Sequence, residues 1–137
     1  MLFYRRPAGV PWPALTGVVH GPPWRALCND CVIPVYCFMP EHLHLIIKGM
    51  KESSDVRRVV SRFKQRTGYW FSKNSQAAWQ RDFHDHIVRD DESLANHVWY
   101  IVNNPVRRGL VERWENYAYT GSIGVDLREV LSDLLTP

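Results

Sequence analysis

The sequence predicts a single domain in which strands and helices share one core, an α+β fold. Two apolar strand patterns meet at a proline-containing turn within residues 35–49. Two stretches with helical spacing of their apolar residues follow, at 53–72 and 92–104. A length of 137 residues is typical of one domain that buries a substantial core.

The composition is that of an ordinary globular protein, with 45% apolar and 23% charged residues. The net charge of +3 is a mild indication of an anionic partner. No apolar run approaches the length of a membrane span, and no signal peptide is evident. We therefore expect a cytoplasmic location and no membrane partner.

The three cysteines are an odd number, which argues against a disulfide framework. Cys28 and Cys31 nevertheless have the spacing of a metal or redox pair. Ordinary reduced thiols are the simpler interpretation. A small zinc-binding module built on these two cysteines and a histidine is the alternative.

Residues 1–30 are expected to form an irregular segment, because prolines at 7, 11, 13, 22 and 23 break any long element. Within this segment, residues 14–19 are a candidate for a short strand.

The stretch 35–49 reads as two strands joined by a turn at Met39-Pro40-Glu41. His42 and His44 follow the turn, and alternation along a strand places both imidazoles on one face. Two neutral imidazoles on a strand anchored in a core make two-thirds of a metal site. The alternative is a pair of polar residues on a solvated face. A second His-x-His pattern, at 84–86, lies in a predicted strand at 79–88, where His86 is either structural or close to the site.

The first helix, predicted at 53–72, has an apolar stripe and a basic face. Ser53 or Ser54 can cap it, with Asp55 in the first turn. The buried stripe comprises Val56, Val59, Val60, Phe63, Thr67 and Trp70. The basic face carries Arg58, Arg62 and Arg66. These arginines form either a solvated face or a row of phosphate contacts, and the absence of acidic residues between Asp55 and Asp82 favours phosphate contacts.

The second helix, predicted at 92–104, begins at a cap formed by Asp90 or Asp91 and buries Leu94, Val98 and Ile101. Tyr100 and Asn104 lie one turn apart on one flank of it. Pro105 disfavours helical geometry at Asn104, so we expect the helix to end or kink there. Alternatively, Tyr100 is an amphipathic residue at a core edge and Asn104 is a cap.

The final residues, 126–137, predict an amphipathic helix that either docks on the domain or contacts another subunit, and docking is favoured.

Three segments together resemble the single-tyrosine HUH transposases, in the branch called REP-associated tyrosine transposases. They are MPEHLHLII at 39–47, WQRDFHDHIVRD at 79–90 and YIVNNPVRRGLV at 100–111. The resemblance extends over residues 31–125, between the irregular segment at 1–30 and the final helix at 126–137.

The resemblance implies a ferredoxin-like antiparallel sheet with helices packed on one face, here with a shortened first strand and helix. It implies that His42 and His44 bind a divalent metal, Mg²⁺ or Mn²⁺. It also implies that Tyr100 is the nucleophile and that Asn104 completes the metal site.

The function implied is metal-dependent cleavage and rejoining of single-stranded DNA at hairpin repeats, through a 5′-phosphotyrosine intermediate. Charge placement, rather than the resemblance, selects the DNA-binding candidates Arg58, Arg62, Arg66, Arg107 and Arg108. The protein is expected to act as a monomer or homodimer. The alternative is a truncated or domesticated binder of repeat hairpins that does not cut, since the N-terminal residues show no long helix.

Overall fold

The computed structural model describes residues 2–5, 30–40, 42–74, 84–85 and 91–135. This part of the chain forms five strands, β1 Leu2–Arg5, β2 Cys31–Phe38, β3 His42–Gly49, β4 His84–Asp85 and β5 Thr120–Ile123. It also forms three α-helices, α1 Val56–Asn74, α2 Asp91–Arg107 and α3 Leu127–Leu135, and a short 3₁₀ helix, Trp114–Asn116. The strands form one antiparallel sheet in the order β4-β1-β3-β2-β5. The predicted α+β class with an antiparallel sheet is confirmed.

The hairpin of β2 and β3 is the centre of the sheet, and its predicted turn is confirmed. The backbone N–H of Met39 donates to the carbonyl of His42 at 2.8 Å, and the N–H of His42 donates to the carbonyl of Met39 at 3.3 Å. These two bonds close the loop that contains Pro40, which has no N–H to donate. Because β3 pairs with β1 on one side and β2 on the other, its backbone is held from both edges.

The helices are divided between the two faces of the sheet, which corrects the expectation that they pack on one face. Leu43 and Leu45 share a core with α1, whereas Ile46 shares a second core with α2 and α3. The physical reason is that residues 43–46 of β3 are all buried. Since neighbouring side chains alternate between faces, such a strand needs cover on both sides.

The first strand of the sheet lies at Leu2–Arg5, inside the segment expected to be irregular, so that expectation was wrong for these four residues. This strand pairs with β3, with Phe3 opposite His44 and Arg5 opposite His42. The candidate strand at 14–19 lies outside the described residues. The inner position of the sheet next to β3 is therefore occupied by β1, Leu2–Arg5.

The predicted buried stripe of α1 is confirmed, but the cap is Asp55 rather than Ser53 or Ser54. The Asp55 carboxylate accepts a hydrogen bond from the backbone N–H of Arg58 at 3.0 Å, which satisfies a free donor of the first turn. The Ser54 hydroxyl instead donates to the carbonyl of Asp30 at 2.7 Å. That bond ties the loop before α1 to the start of β2.

Helix α2 continues three residues beyond Asn104, with Pro105 inside it, so the predicted end at Asn104 was wrong. Its C-terminus is closed by two hydrogen bonds at 2.9 Å, from Leu110 N–H to the Pro105 carbonyl and from Gly109 N–H to the Val106 carbonyl. Gly109 has a φ of +70°, the left-handed conformation that this closure requires. Pro105 therefore leaves one backbone hydrogen bond of the last turn unmade. Its burial and the two closing hydrogen bonds keep the helical geometry.

Helix α3 packs onto the core that α2 covers, through the buried Leu127 and Leu131, so the docking interpretation is confirmed. Asp126 caps it by accepting hydrogen bonds from the backbone N–H of Arg128 at 2.7 Å and of Glu129 at 3.3 Å.

No helix in the described ranges has the length and apolar character needed to cross a bilayer.

Candidate metal and tyrosine site

The histidine pair, His42 and His44, begins β3 and projects from the face that α2 covers. The two Nε2 atoms lie 2.5 Å apart, and the ring planes are 82° from each other. His44 is 1% exposed, whereas His42 is only partly buried. The one-residue spacing on a strand therefore does bring two imidazole nitrogens to one point.

The electrostatic setting keeps His44 neutral. Burial, and secondarily the neighbouring His42, lower the pKa of His44 from its ordinary 6.5 to about 3. A neutral imidazole retains the nitrogen lone pair that a metal ligand needs, because a protonated ring cannot coordinate.

Asn104 of α2 reaches the same point from the opposite element. Its amide Nδ2 lies 2.7 Å from Nε2 of His44, and the residue is 7% exposed. With this orientation the amide N–H donates to the imidazole. A half-turn of the amide brings its oxygen to the same place, since nitrogen and oxygen are nearly equal in size.

These three side chains fit a divalent metal ion. Two imidazole nitrogens and one amide oxygen suit borderline divalent ions, and they leave coordination positions for water or phosphate oxygen. Nitrogen ligands on one ion lie roughly 3 Å apart, so the two rings need to separate by about half an ångström. Within the described residues no group of three His, Cys, Asp or Glu side chains could hold a metal ion, and the third side chain at this point is the Asn104 amide.

Tyr100 lies one helical turn before Asn104 and beside the histidine pair. Its ring centroid is 6.0 Å from that of His44, with the ring planes at 82°. It is 40% exposed, so the side chain is accessible from solvent. The flank shared by Tyr100 and Asn104 therefore faces the imidazole side of β3.

The five arginines do not form one surface. Arg107 lies at Tyr100, with its guanidinium carbon 4.7 Å from the centroid of the phenol ring. Arg108 is exposed one residue further on. The α1 arginines, Arg58, Arg62 and Arg66, are exposed on a helix that covers the other face of the sheet. The sheet therefore separates them from the histidine pair.

The contact between Arg107 and Tyr100 is the feature that sequence reasoning missed. A spacing of seven residues is two helical turns, which would have indicated the contact. This spacing was not recognised as helical, because the helix was expected to end at Asn104 and Arg107 lay beyond that end.

Of the two cysteines and the second histidine candidate, Cys31 is the one that lies within the described residues. Cys31 is buried in the core that α1 covers, and burial, followed by the charge of Asp30, raises the pKa of its thiol. Both effects disfavour the thiolate that zinc requires. Cys28 and His86 lie outside the described residues.

An antiparallel sheet whose central strand presents a histidine pair to a tyrosine-bearing helix has the organisation of the tyrosine transposases. The chain belongs to the family described as "Transposase IS200 like", whose model matches residues 26–104, more than half of the sequence.

Two curated relatives agree with this assignment. A Haemophilus influenzae protein that carries the provisional name of a REP-associated tyrosine transposase is 34% identical over 97 residues, covering 61% of this chain and 54% of the relative. The REP-associated tyrosine transposase of Escherichia coli K12 is 28% identical over 92 residues, covering 64% of this chain and 52% of the relative. The chain thus spans about half the length of the curated relatives it matches.

A solved structure shows the same fold. It is a REP-associated tyrosine transposase bound to a REP hairpin, and it matches 87% of this chain and 73% of its own chain with a TM-score of 0.59. The sequence identity is 22%.

Proposed function

We propose that the protein is a metal-dependent endonuclease and strand-transfer enzyme that cleaves and rejoins single-stranded DNA at hairpin repeats. The single observation that carries the proposal is the convergence of a partly exposed phenol, Tyr100, with the histidine pair and Asn104. A nucleophile beside a set of metal-ligating atoms is what phosphodiester cleavage through a covalent intermediate requires.

In the proposed reaction the Tyr100 oxygen attacks a backbone phosphorus and loses its proton to solvent. The bond from phosphorus to the 3′ oxygen breaks, and that oxygen takes up a proton. The products are a 5′-phosphotyrosine link and a free 3′-hydroxyl. Because one ester replaces another and no water is consumed, the reverse attack by a 3′-hydroxyl rejoins the strand.

The side chains of the site have distinct proposed roles. His42 and His44 keep their nitrogen lone pairs directed at one point, and Asn104 supplies an amide oxygen there. These residues would hold Mg²⁺ or Mn²⁺, which when bound polarises the phosphate and offsets charge developing on it. Partial exposure of Tyr100 leaves the phenol accessible to a strand that lies over the site.

The DNA partner is proposed from charge and from the relatives. The solved relative holds a REP hairpin, and exposed arginines on this chain can take phosphate oxygens in bidentate fashion. DNA that meets both Tyr100 and the α1 arginines has to pass around an edge of the sheet, because these groups lie on opposite faces.

The test is cleavage of a labelled single-stranded hairpin oligonucleotide in Mn²⁺ or Mg²⁺, with covalent adducts separated on a denaturing gel. Tyr100→Phe should abolish the adduct while it retains hairpin binding, and His42→Ala should lose the metal-dependent cleavage. Adduct formation by Tyr100→Phe would remove this residue from its role.

A binder that does not cut is the second outcome of the same assay. It would show as tight hairpin binding by the wild type with no adduct at any metal concentration. That alternative was motivated by an N-terminal segment without a long helix, and residues 6–29 lie outside the described part of the chain. The strand position beside β3 is occupied by β1, which supports an intact sheet next to the histidine pair.

A further inference from the structure

We propose that Arg107 is a positioning residue that fixes the ring of Tyr100 for attack, a role separate from that of the neighbouring Arg108. The inference rests on the proposed function. Charge placement alone made Arg107 and Arg108 equal candidates for DNA binding. The proposal gives these two adjacent arginines different roles.

The contact is set by helix geometry. Arg107 follows Tyr100 by two turns, so both project from one flank of α2. The guanidinium carbon lies 4.7 Å from the ring centroid, within the range of a cation over an aromatic face. The ring of His44 approaches the same phenol edge-to-face, at 6.0 Å between centroids. Two groups therefore restrict a side chain that is otherwise 40% exposed.

The backbone that carries Arg107 is itself fixed, although it is the last residue of α2. The closing bonds from Leu110 to Pro105 and from Gly109 to Val106 enclose this turn. Pro105 adds rigidity because its ring limits φ. A terminal turn without such closure would fray and lose the stack.

The chemistry of guanidinium allows both a stack and a phosphate contact. A guanidinium group that lies over an aromatic ring can still donate from its N–H groups to a phosphate oxygen. A phosphodiester bound at the Tyr100 oxygen would lie near Arg107, whose guanidinium carbon is 4.7 Å from the centroid of the phenol ring. Lysine carries the same charge but lacks the plane, so Arg107→Lys separates charge from positioning.

Arg108 is the matched control. It is exposed and equally charged, and it is the first residue beyond α2, whereas the contact with the phenol ring is made by Arg107, the last residue of the helix. Removal of either arginine therefore changes the net charge equally, and only the Arg107 variant removes the contact with the phenol ring.

The experiment uses the full chain with 3-fluorotyrosine in place of its six tyrosines. The fluorine resonance of residue 100 is assigned by its loss in Tyr100→Phe. Arg107→Ala and Arg107→Lys should shift or broaden this resonance, and Arg108→Ala should leave it in place. An unchanged resonance in a folded Arg107→Ala protein overturns the proposal. Circular dichroism melting identifies a variant that has unfolded, and Arg107→Lys then decides the question.

The kinetic arm separates positioning from binding. In single-turnover cleavage of the hairpin, Arg107→Ala and Arg107→Lys should both lower the rate at saturating DNA by about tenfold to a hundredfold, as expected for a misplaced nucleophile. Arg108→Ala should instead raise the KM, because Arg108 is a candidate for DNA binding. Full recovery by Arg107→Lys would show a role of charge only and would contradict positioning. If the wild type cleaves nothing, the proposed function fails, while the resonance still decides the Arg107 contact.

Discussion

Protonation of His44 should destabilise the metal-free protein in acid. The folded-state pKa of His44 is about 3, against an ordinary 6.5, because burial opposes the charged ring. A group with a lowered folded-state pKa contributes stability that is complete above pH 6.5 and is lost as the pH falls towards 3. Each pH unit in that window lowers the free energy of unfolding by up to about 1.4 kcal/mol. Acidification from pH 6.5 to 4.5 should therefore lower it by roughly 2–3 kcal/mol.

The measurement is urea unfolding with EDTA present, followed by circular dichroism at intervals from pH 7.5 to 4.5. His44→Gln, which has a polar side chain that does not titrate, should lose most of the extra acid sensitivity. His97→Gln is the matched control, because it makes the same substitution at a partly exposed position of α2 and leaves His44 in place, so the acid sensitivity that His44 causes should remain. Equal slopes for the wild type and His44→Gln would refute the assignment of a buried, neutral imidazole.

Three further predictions concern the scaffold. Gly121→Ala should destabilise the protein by about 1–3 kcal/mol, since a Cβ built at Gly121 lies 2.6 Å from the Tyr36 hydroxyl; urea midpoints measure this. Asp55→Ala should lower the free energy of unfolding by about 1 kcal/mol in the same assay, because the cap on the Arg58 N–H is lost. Asp55→Asn should retain most of the wild-type stability, because its amide oxygen can accept the same hydrogen bond. Stability should fall as the pH rises above about 9, because burial raises the pKa of Cys37 to about 11 and of Tyr36 to about 12, and a flat alkaline profile would contradict this.

Local patterns in the sequence were sufficient to predict the hairpin, the stripe of α1 and the histidine pair. Each depends on a periodicity that a few neighbouring residues define, and each belongs to an element with strong burial. The convergence of Tyr100 and Asn104 on one flank of α2 followed from helix geometry in the same way.

Features that depend on distant parts of the chain were not predictable in this way. Strand β1 has four residues, too few for a periodic signal, and prolines follow it closely. Its pairing with β3 defines it as a strand. The continuation of α2 through Pro105 depends on burial and on the closure at Gly109, which override the local preference of proline.

The division of the helices between the two faces of the sheet could not be predicted from local sequence patterns either. The apolar run after His44 indicates burial but does not say which helix covers which side. The structure assigns α1 to one face and α2 with α3 to the other, and this decides which arginines can lie near Tyr100.

The role of Tyr100 as nucleophile can be tested by mass spectrometry of the protein after reaction with a hairpin oligonucleotide and Mn²⁺, followed by digestion with nuclease and protease. We expect a nucleotide joined through phosphate to the peptide that contains Tyr100, and no such mass with Tyr100→Phe. A nucleotide on a different tyrosine, or cleavage that leaves no protein-bound nucleotide, would contradict the proposed role of Tyr100.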